Sequence, residues 1–308
     1  MKNARYVRVD VFTKSRFGGN PLAVFPHAKG LTDGQMQLLA REMNLSETTF
    51  VLPPSKGSGA DFRVRIFTPD MEIPYAGHPT LGTFYVLADE GRLKLTGRMT
   101  VAMMEVKAGV LPVEIYSKGG KVDRVVTVQS GPRFWPEHAD PGLVAKALGV
   151  SKSDLDPDRM PPQLVSTGLP WLIAPMRSRK AVERARCDVQ AFAEVVKGLP
   201  KGVVDIYATC LHPVDASSTT HSRGFSLVLG GIVEDPATGS ASGCLGAYLV
   251  KRGLVRGDGP VRIVNEQGYE IGRPSKVTID VEKDADGGPR TVRVGGTVVK
   301  VMDGIAYL

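Results

Sequence analysis

Apolar and polar side chains alternate along Tyr6-Val7-Arg8-Val9-Asp10-Val11-Phe12, the period of a strand with one buried face. Phe17-Gly18-Gly19-Asn20-Pro21 then predicts a turn, and Leu22–Phe25 extended chain. Thr32–Met43 has the spacing of an amphipathic helix with a polar start, ending at Asn44. Strands are predicted at Phe50–Leu52, Asp61–Phe67, Thr100–Tyr116, Val122–Val128, Gly202–Ala208 and Lys276–Val281. The stretch from Ser130 through Trp135 reads as irregular, and Leu155–Pro162 as a proline-rich loop. Val165–Ile173 predicts a strand with a tight turn, Pro141–Leu148 a helix, and Arg179–Lys197 one longer helix. Thr291–Val301 alternates again and closes a sheet. Two apolar runs do not alternate. Leu81–Leu87 and Cys244–Val250 carry small residues on several faces, as helices buried all round do.

What precedes those two runs makes the chain a repeat. Glu72-Ile73-Pro74-Tyr75-Ala76-Gly77 and Glu234-Asp235-Pro236-Ala237-Thr238-Gly239 share the pattern E-x-P-x-x-G without a gap. Gly91 and Gly253 each follow their loop glycine by fourteen positions. Upstream, Arg65-Ile66-Phe67 has a counterpart in Arg223-Gly224-Phe225, with a longer spacer in the second copy. A repeat of about half the chain predicts two related domains, here 1–127 and 128–308, with the last strand free to pack back on the first. It also places a helix N-terminus in each domain, and the expectation is that both point into one cleft. Backbone N–H groups left without partners at a helix start favour an anion there.

Composition narrows the class of partner. The chain has 308 residues, 42% of them hydrophobic and 23% charged, enough for two domains with cores of their own. Its 39 basic residues give a net charge of +7 but form no long run and no aromatic-interleaved patch, so nucleic acid is not expected. Attraction for small anionic substrates is the more economical use of that charge. The start of the sequence goes straight into a strand without a signal-peptide core, and no apolar stretch is long enough to span a membrane, so a cytoplasmic protein is expected. Cys187, Cys210 and Cys244 show no paired spacing and read as reduced thiols. His27, His78, His138, His212 and His221 form no ligand-spaced cluster, and neither a dinucleotide nor a P-loop glycine pattern is present. Neither a metal, a dinucleotide nor a P-loop nucleotide site is expected.

Several residues can carry chemistry. Glu47 sits between a helix end and a strand, beside Phe50 and Val51. It is a solvated carboxylate, a partner for a nearby arginine or, in that apolar company, an acid/base with a raised pKa. His78 follows its glycine at a helix start, where the dipole favours neutral imidazole over imidazolium. Asn20 is either turn chemistry or an amide placed in the cleft. Thr238 or Ser240 can cap the second helix.

Taken together, four segments resemble the phenazine-biosynthesis PhzF-like isomerases. They are Phe17–Pro21 with Asn44–Thr48, Phe67–Pro69 with Ala76–Thr80, Glu234–Ser240, and Gly272–Ser275. The resemblance implies the α+β diaminopimelate-epimerase-like fold. In it each of two domains wraps a mostly antiparallel sheet or open barrel round a central helix, with the active site between them. It implies a homodimer without cofactor. It also implies Glu47 as the acid/base, His78, Asp235 and Ser240 as further catalytic residues, and Gly77 and Gly239 as donors of N–H groups to the substrate. Asn20 and Thr238 join them as substrate-binding positions. Superfamily racemases place a thiol at each helix start, whereas this chain reads Ala76-Gly77-His78 and Thr238-Gly239-Ser240. Two-thiol racemisation is therefore not expected. Phe225–Gly230 lacks a proline that many relatives carry, which leaves the substrate-facing wall open.

The implied chemistry is an isomerisation of a small amino or carboxylic acid, with a trans-2,3-dihydro-3-hydroxyanthranilate-type substrate as the leading case. An amino-acid racemase or epimerase and a non-catalytic carboxylate-binding protein are the alternatives. Asp235 should face an amine or a hydroxyl hydrogen, because a second carboxylate at that distance would be repelled.

Overall fold

The computed structural model describes residues 3–228, 231–257 and 259–308. The chain divides into two compact units, one formed by the sequence up to Val128 together with Gly295–Leu308, the other by Gln129–Val294. The second domain thus ends at Val294 rather than at the C-terminus. The cause is the strand Val298–Tyr307, which pairs antiparallel with Asn3–Val11 along its whole length.

The first unit runs β1 (Asn3–Val11), β2 (Asn20–Phe25), α1 (Asp33–Met43), β3 (Thr48–Leu52), β4 (Phe62–Phe67), β5 (Glu72–Ile73), α2 (Gly77–Asp89), β6 (Met99–Val106), β7 (Gly109–Lys118) and β8 (Lys121–Val128). Most pairings are antiparallel, but β2–β3 and β4–β6 are parallel. Helix α1 starts at a capping box, Thr32 with Gln35, and stops at Asn44 in the left-handed region (φ 49°). Its apolar stripe of Met36, Leu39 and Ala40 packs on Phe25, Phe50 and Phe67. Helix α2 is buried on nearly every face and touches β1, β2, β3, β7 and β8. Gly82 permits that contact, since a Cβ there would stand 2.5 Å from Leu22 Cδ2.

The second unit repeats the plan with β9 (Arg133–Glu137), α3 (Pro141–Ala147), β10 (Gln163–Ser166), β11 (Pro170–Pro175), α4 (Arg179–Glu183), α5 (Val189–Lys197), β12 (Asp205–Cys210), β13 (Thr220–Val228), β14 (Gly231–Asp235), α6 (Gly239–Lys251), β15 (Val261–Gln267), β16 (Ser275–Lys283) and β17 (Pro289–Gly296); β18 is the C-terminal strand Val298–Tyr307. The parallel pairs recur at the corresponding places, β11–β12 and β13–β15. Helix α6 is as buried as α2 and packs on β10, β11, β15 and β16. Gly91 (φ 68°) and Gly253 (φ 64°) close the two helices in the left-handed conformation that glycine adopts without steric cost. The repeat read from the sequence is therefore a repeat of topology.

Thr291–Val301, expected as one strand, is divided at Thr297 between β17 and β18, and three further elements differ from expectation. The stretch holding Trp135 is a strand, β9, paired with β10. The strand expected from Gly202 begins at Asp205, because Gly202 (φ 91°) is still in a turn. The single helix expected over Arg179–Lys197 is two. Between them the backbone N–H groups of Arg186 and Asp188 turn to Leu148 and Ala147 carbonyls, and the Asp188 side chain then caps α5 at Ala191.

Candidate functional site

Each unit holds its motif loop by the same device. In the first, Arg65 Nε and Nη2 donate to Glu72 Oε1 and Oε2, both at 2.8 Å. In the second, Arg223 does the same to Glu234, at 2.9 and 2.6 Å. Both guanidiniums also lie over a phenylalanine, Phe67 and Phe225. The repeated arginine and glutamate are thus a forked ion pair across a hairpin, β4–β5 and β13–β14, that ends where each loop begins.

In the first unit the loop delivers α2 with extended backbone at Ala76 and no side-chain cap. Pro79 has no N–H to satisfy, so the free donors at this helix start are those of Gly77 and His78. A Cβ on Gly77 would meet nothing within 4 Å, so the space before it is open. His78 is buried, and burial pulls its pKa down to about 3. Its Nε2 stands 3.4 Å from Glu47 Oε2, close enough for an ion pair but without hydrogen-bond geometry. The carboxylate would favour imidazolium; desolvation outweighs it, and the ring is neutral. Glu47 itself is partly exposed at 17%. Asn20, fully buried at the start of β2, accepts from Ser46, the neighbour of Glu47 (3.5 Å).

In the second unit Asp235 accepts from the Thr238 hydroxyl. The Thr238 N–H donates to Gln267 Oε1 (2.9 Å), and Gln267 Nε2 donates to Asp235 O (2.7 Å) and Thr238 Oγ1 (2.9 Å). Thr238, placed at the helix start as a substrate-binding position, thus has its hydroxyl engaged by Asp235 of its own loop and its N–H by Gln267 of β15. Gly239 and Ser240 open α6, which also lacks a side-chain cap. Ser240 Oγ accepts from Trp171 Nε1 (3.1 Å), which leaves its own hydrogen to donate elsewhere. Cys244 is fully buried, donates to Leu169 O (3.4 Å), and has its thiol pushed up to about 12 by burial. It is no proton shuttle at neutral pH.

Sequence reasoning missed Trp171, Gln267 and Tyr207, whose hydroxyl supports Gln267 at 2.7 Å. They lie far along the chain from the loop they hold, and no local spacing marks them. Among the described residues, no group of three or more His, Cys, Asp and Glu could hold a metal ion, and no helix is long and apolar enough to cross a membrane.

Two topologically equivalent units, each with a central helix opened by an E-x-P-x-x-G loop, define an α+β protein of the diaminopimelate-epimerase-like class. Within it the chain belongs to the PhzC-PhzF family of phenazine biosynthesis-like proteins, whose signature matches residues 9–304. An uncharacterized isomerase of Bacillus subtilis, YfhB, is 35% identical over 97% of both chains. The trans-2,3-dihydro-3-hydroxyanthranilate isomerase of Pseudomonas aeruginosa is 36% identical over 99% of both. A PhzF-family phenazine biosynthesis protein of Bacillus anthracis superposes with a TM-score of 0.89 at 32% identity, covering 100% of each chain.

Proposed function

We propose that this chain is an isomerase in which Glu47 removes a proton from carbon next to an activating group and returns it elsewhere on the same molecule. The carrying observation is the Glu47 carboxylate held 3.4 Å from a buried, neutral His78 at an uncapped helix start. A partly exposed carboxylate can reach a bound molecule, and a neutral imidazole can steer either the ring or the travelling proton. In the second unit, the N–H groups of Gly239 and Ser240 and the Ser240 hydroxyl suit a carboxylate, and Asp235 suits an amine or hydroxyl hydrogen. The substrate class is a small, cyclic amino acid of the trans-2,3-dihydro-3-hydroxyanthranilate type, a choice supported by the name of the Pseudomonas aeruginosa relative.

The test compares the wild type with Glu47→Gln, which keeps shape and removes proton transfer. Incubated in deuterated water with trans-2,3-dihydro-3-hydroxyanthranilate and a panel of amino acids, the wild type is expected to return an isomer. Glu47→Gln should bind the same compound with turnover reduced by about 10²–10⁴-fold. Near wild-type turnover in Glu47→Gln would sink the assignment. Deuterium at an α-carbon with loss of chirality would make the protein an epimerase instead, and binding without change would make it no enzyme.

A further inference from the structure

A second charged cluster lies in the Gln129–Val294 unit, outside the residues assigned above. His221 of β13 is fully buried, with Nε2 2.7 Å from Glu270 Oε1 and Nδ1 3.5 Å from Glu266 Oε2. Glu266, also fully buried, accepts the backbone N–H groups of Val214 (2.7 Å) and Asp215 (2.8 Å). Burial opposes charge on the imidazole, but the two glutamates, Glu270 in hydrogen-bond contact and Glu266 as a charge facing Nδ1 without hydrogen-bond geometry, prevail and raise it to about 9. Burial likewise opposes both carboxylates, yet His221 helps hold each below its ordinary value. At neutral pH the cluster is therefore an imidazolium between two carboxylates.

Glu266 and Glu270 bracket Gln267-Gly268-Tyr269, and that turn touches the motif loop twice. Gln267 holds Asp235 and Thr238 through its side-chain amide. Gly268 (φ +82°) lies so close that a Cβ would stand 2.5 Å from Pro236 O. We infer that His221, as an imidazolium, is a positioning residue: it clasps Glu266 to Glu270, fixes the turn that carries Gln267, and so sets the Asp235–Thr238 loop. Besides the two glutamates, the groups around it are Tyr269, whose ring meets His221 edge-on, Cys210 across the β12–β13 ladder, Arg223 on its own strand and Asp215 beside Glu266. Tyr269 and Cys210 are pushed up by burial to about 12 and about 11, which leaves His221 as the group of this cluster that titrates near 9.

The inference rests on reading the Asp235–Thr238 loop as part of the ligand site, so its test has one arm that needs no ligand. Glu270→Gln preserves size and removes one charge of the clasp, and Gly246→Ala, which crowds Ile279, serves as a control for general loosening. By NMR, the His221 ring should titrate near pH 9 in the wild type and at lower pH in Glu270→Gln. At about pH 7 the Thr238 amide, which donates to Gln267, should exchange about 10-fold faster in Glu270→Gln while the Ile279 amide is unchanged. Acceleration of Thr238 and Ile279 in parallel, as expected of Gly246→Ala, overturns the clasp. In the second arm, 3-hydroxyanthranilate should bind about 10-fold more weakly to Glu270→Gln. Wild-type affinity should fall as pH rises through about 9, with the break at lower pH in the variant. A wild-type affinity indifferent to pH across that range also overturns it. If the wild type binds no 3-hydroxyanthranilate at any pH, the ligand class proposed above fails, and the exchange arm still decides the clasp.

Discussion

His78 shows at the residue scale how an environment chooses a protonation state. Its pKa is lowered, so the unfolded chain binds a proton there between about 6.5 and about 3 that the folded chain does not. Folding stability from this group is complete above the unfolded value and is lost as pH falls through that window. His78→Asn removes the liability. Its stability, measured by urea titration, should decline less between about pH 6 and 4 than that of the wild type, by on the order of 1–3 kcal/mol. Asp235 invites a different substitution. Because it already accepts the Thr238 hydroxyl, alanine would confound loop and ligand, whereas Asp235→Asn keeps an acceptor and removes the charge. Calorimetry should show 3-hydroxyanthranilate losing about 1–3 kcal/mol of affinity to Asp235→Asn while 3-hydroxybenzoate, which lacks the amine, loses little. Equal losses would reduce Asp235 to a loop anchor. Glu47, His78, Asp235 and Ser240 could be nominated from the sequence as candidates because they sit inside contiguous motifs. Trp171 and Gln267 were not, since they reach Ser240 and Thr238 from 69 and 29 positions away, and side-chain hydrogen bonds across such separations leave no period in a sequence.

Elements repeat more faithfully than residues. The two central helices, their closing glycines and the arginine–glutamate forks occupy equivalent places, yet the cost of disturbing them differs between copies. At Gly82 a new Cβ would meet the far end of Leu22 at 2.5 Å, which can turn aside, and behind it the Cγ2 atoms of Val9 and Val11 at 3.1 Å, which need give by only a few tenths of an ångström. At Gly246 it would stand 2.5 Å from Ile279 Cγ2, on a β-branched side chain held in a strand. Gly246→Ala should therefore cost about 1–3 kcal/mol in denaturant titrations and Gly82→Ala less. The forks differ likewise. Arg223 is 5% exposed and Arg65 14%, and Arg65 has a second carboxylate partner in Asp33. Glu234→Gln leaves a buried guanidinium short of its one carboxylate fork and should cost about 3 kcal/mol or more, with Glu72→Gln well below it. The repeat was readable because E-x-P-x-x-G is written without a gap in both copies. The break between α4 and α5 was not, because its cause is backbone pairing with the end of α3, a tertiary contact that overrides a locally helical pattern.

At the scale of the molecule, strand β18 decides what belongs to what. Its register with β1 runs from Asn3↔Tyr307 to Val11↔Val298, so it supplies one whole neighbour of β1. A chain ending at Val294 should retain the second unit's pattern of protected amides and lose that of the first, as read by hydrogen exchange, because β1 would keep β2 alone as partner. Loss of protection throughout both units would show that neither stands without the other. The alternation over Thr291–Val301 was visible in the sequence, and so was the freedom of the last strand to pack back on the first half; the break at Thr297, which divides that stretch between β17 and β18, and the register with β1 were not, since pairing between chain ends has no local signature.

That pairing also fixes an order of events during synthesis. The first unit begins to emerge from the ribosome before the second, yet it lacks a strand until Gln129–Val294 has been translated in full. At ordinary elongation rates the delay is on the order of ten seconds. Only at the end of that interval does the second unit have every residue it needs, and throughout it β1 presents an unpaired edge to whatever strand it meets first. The half of the protein that carries Glu47 and His78 is started first and completed last.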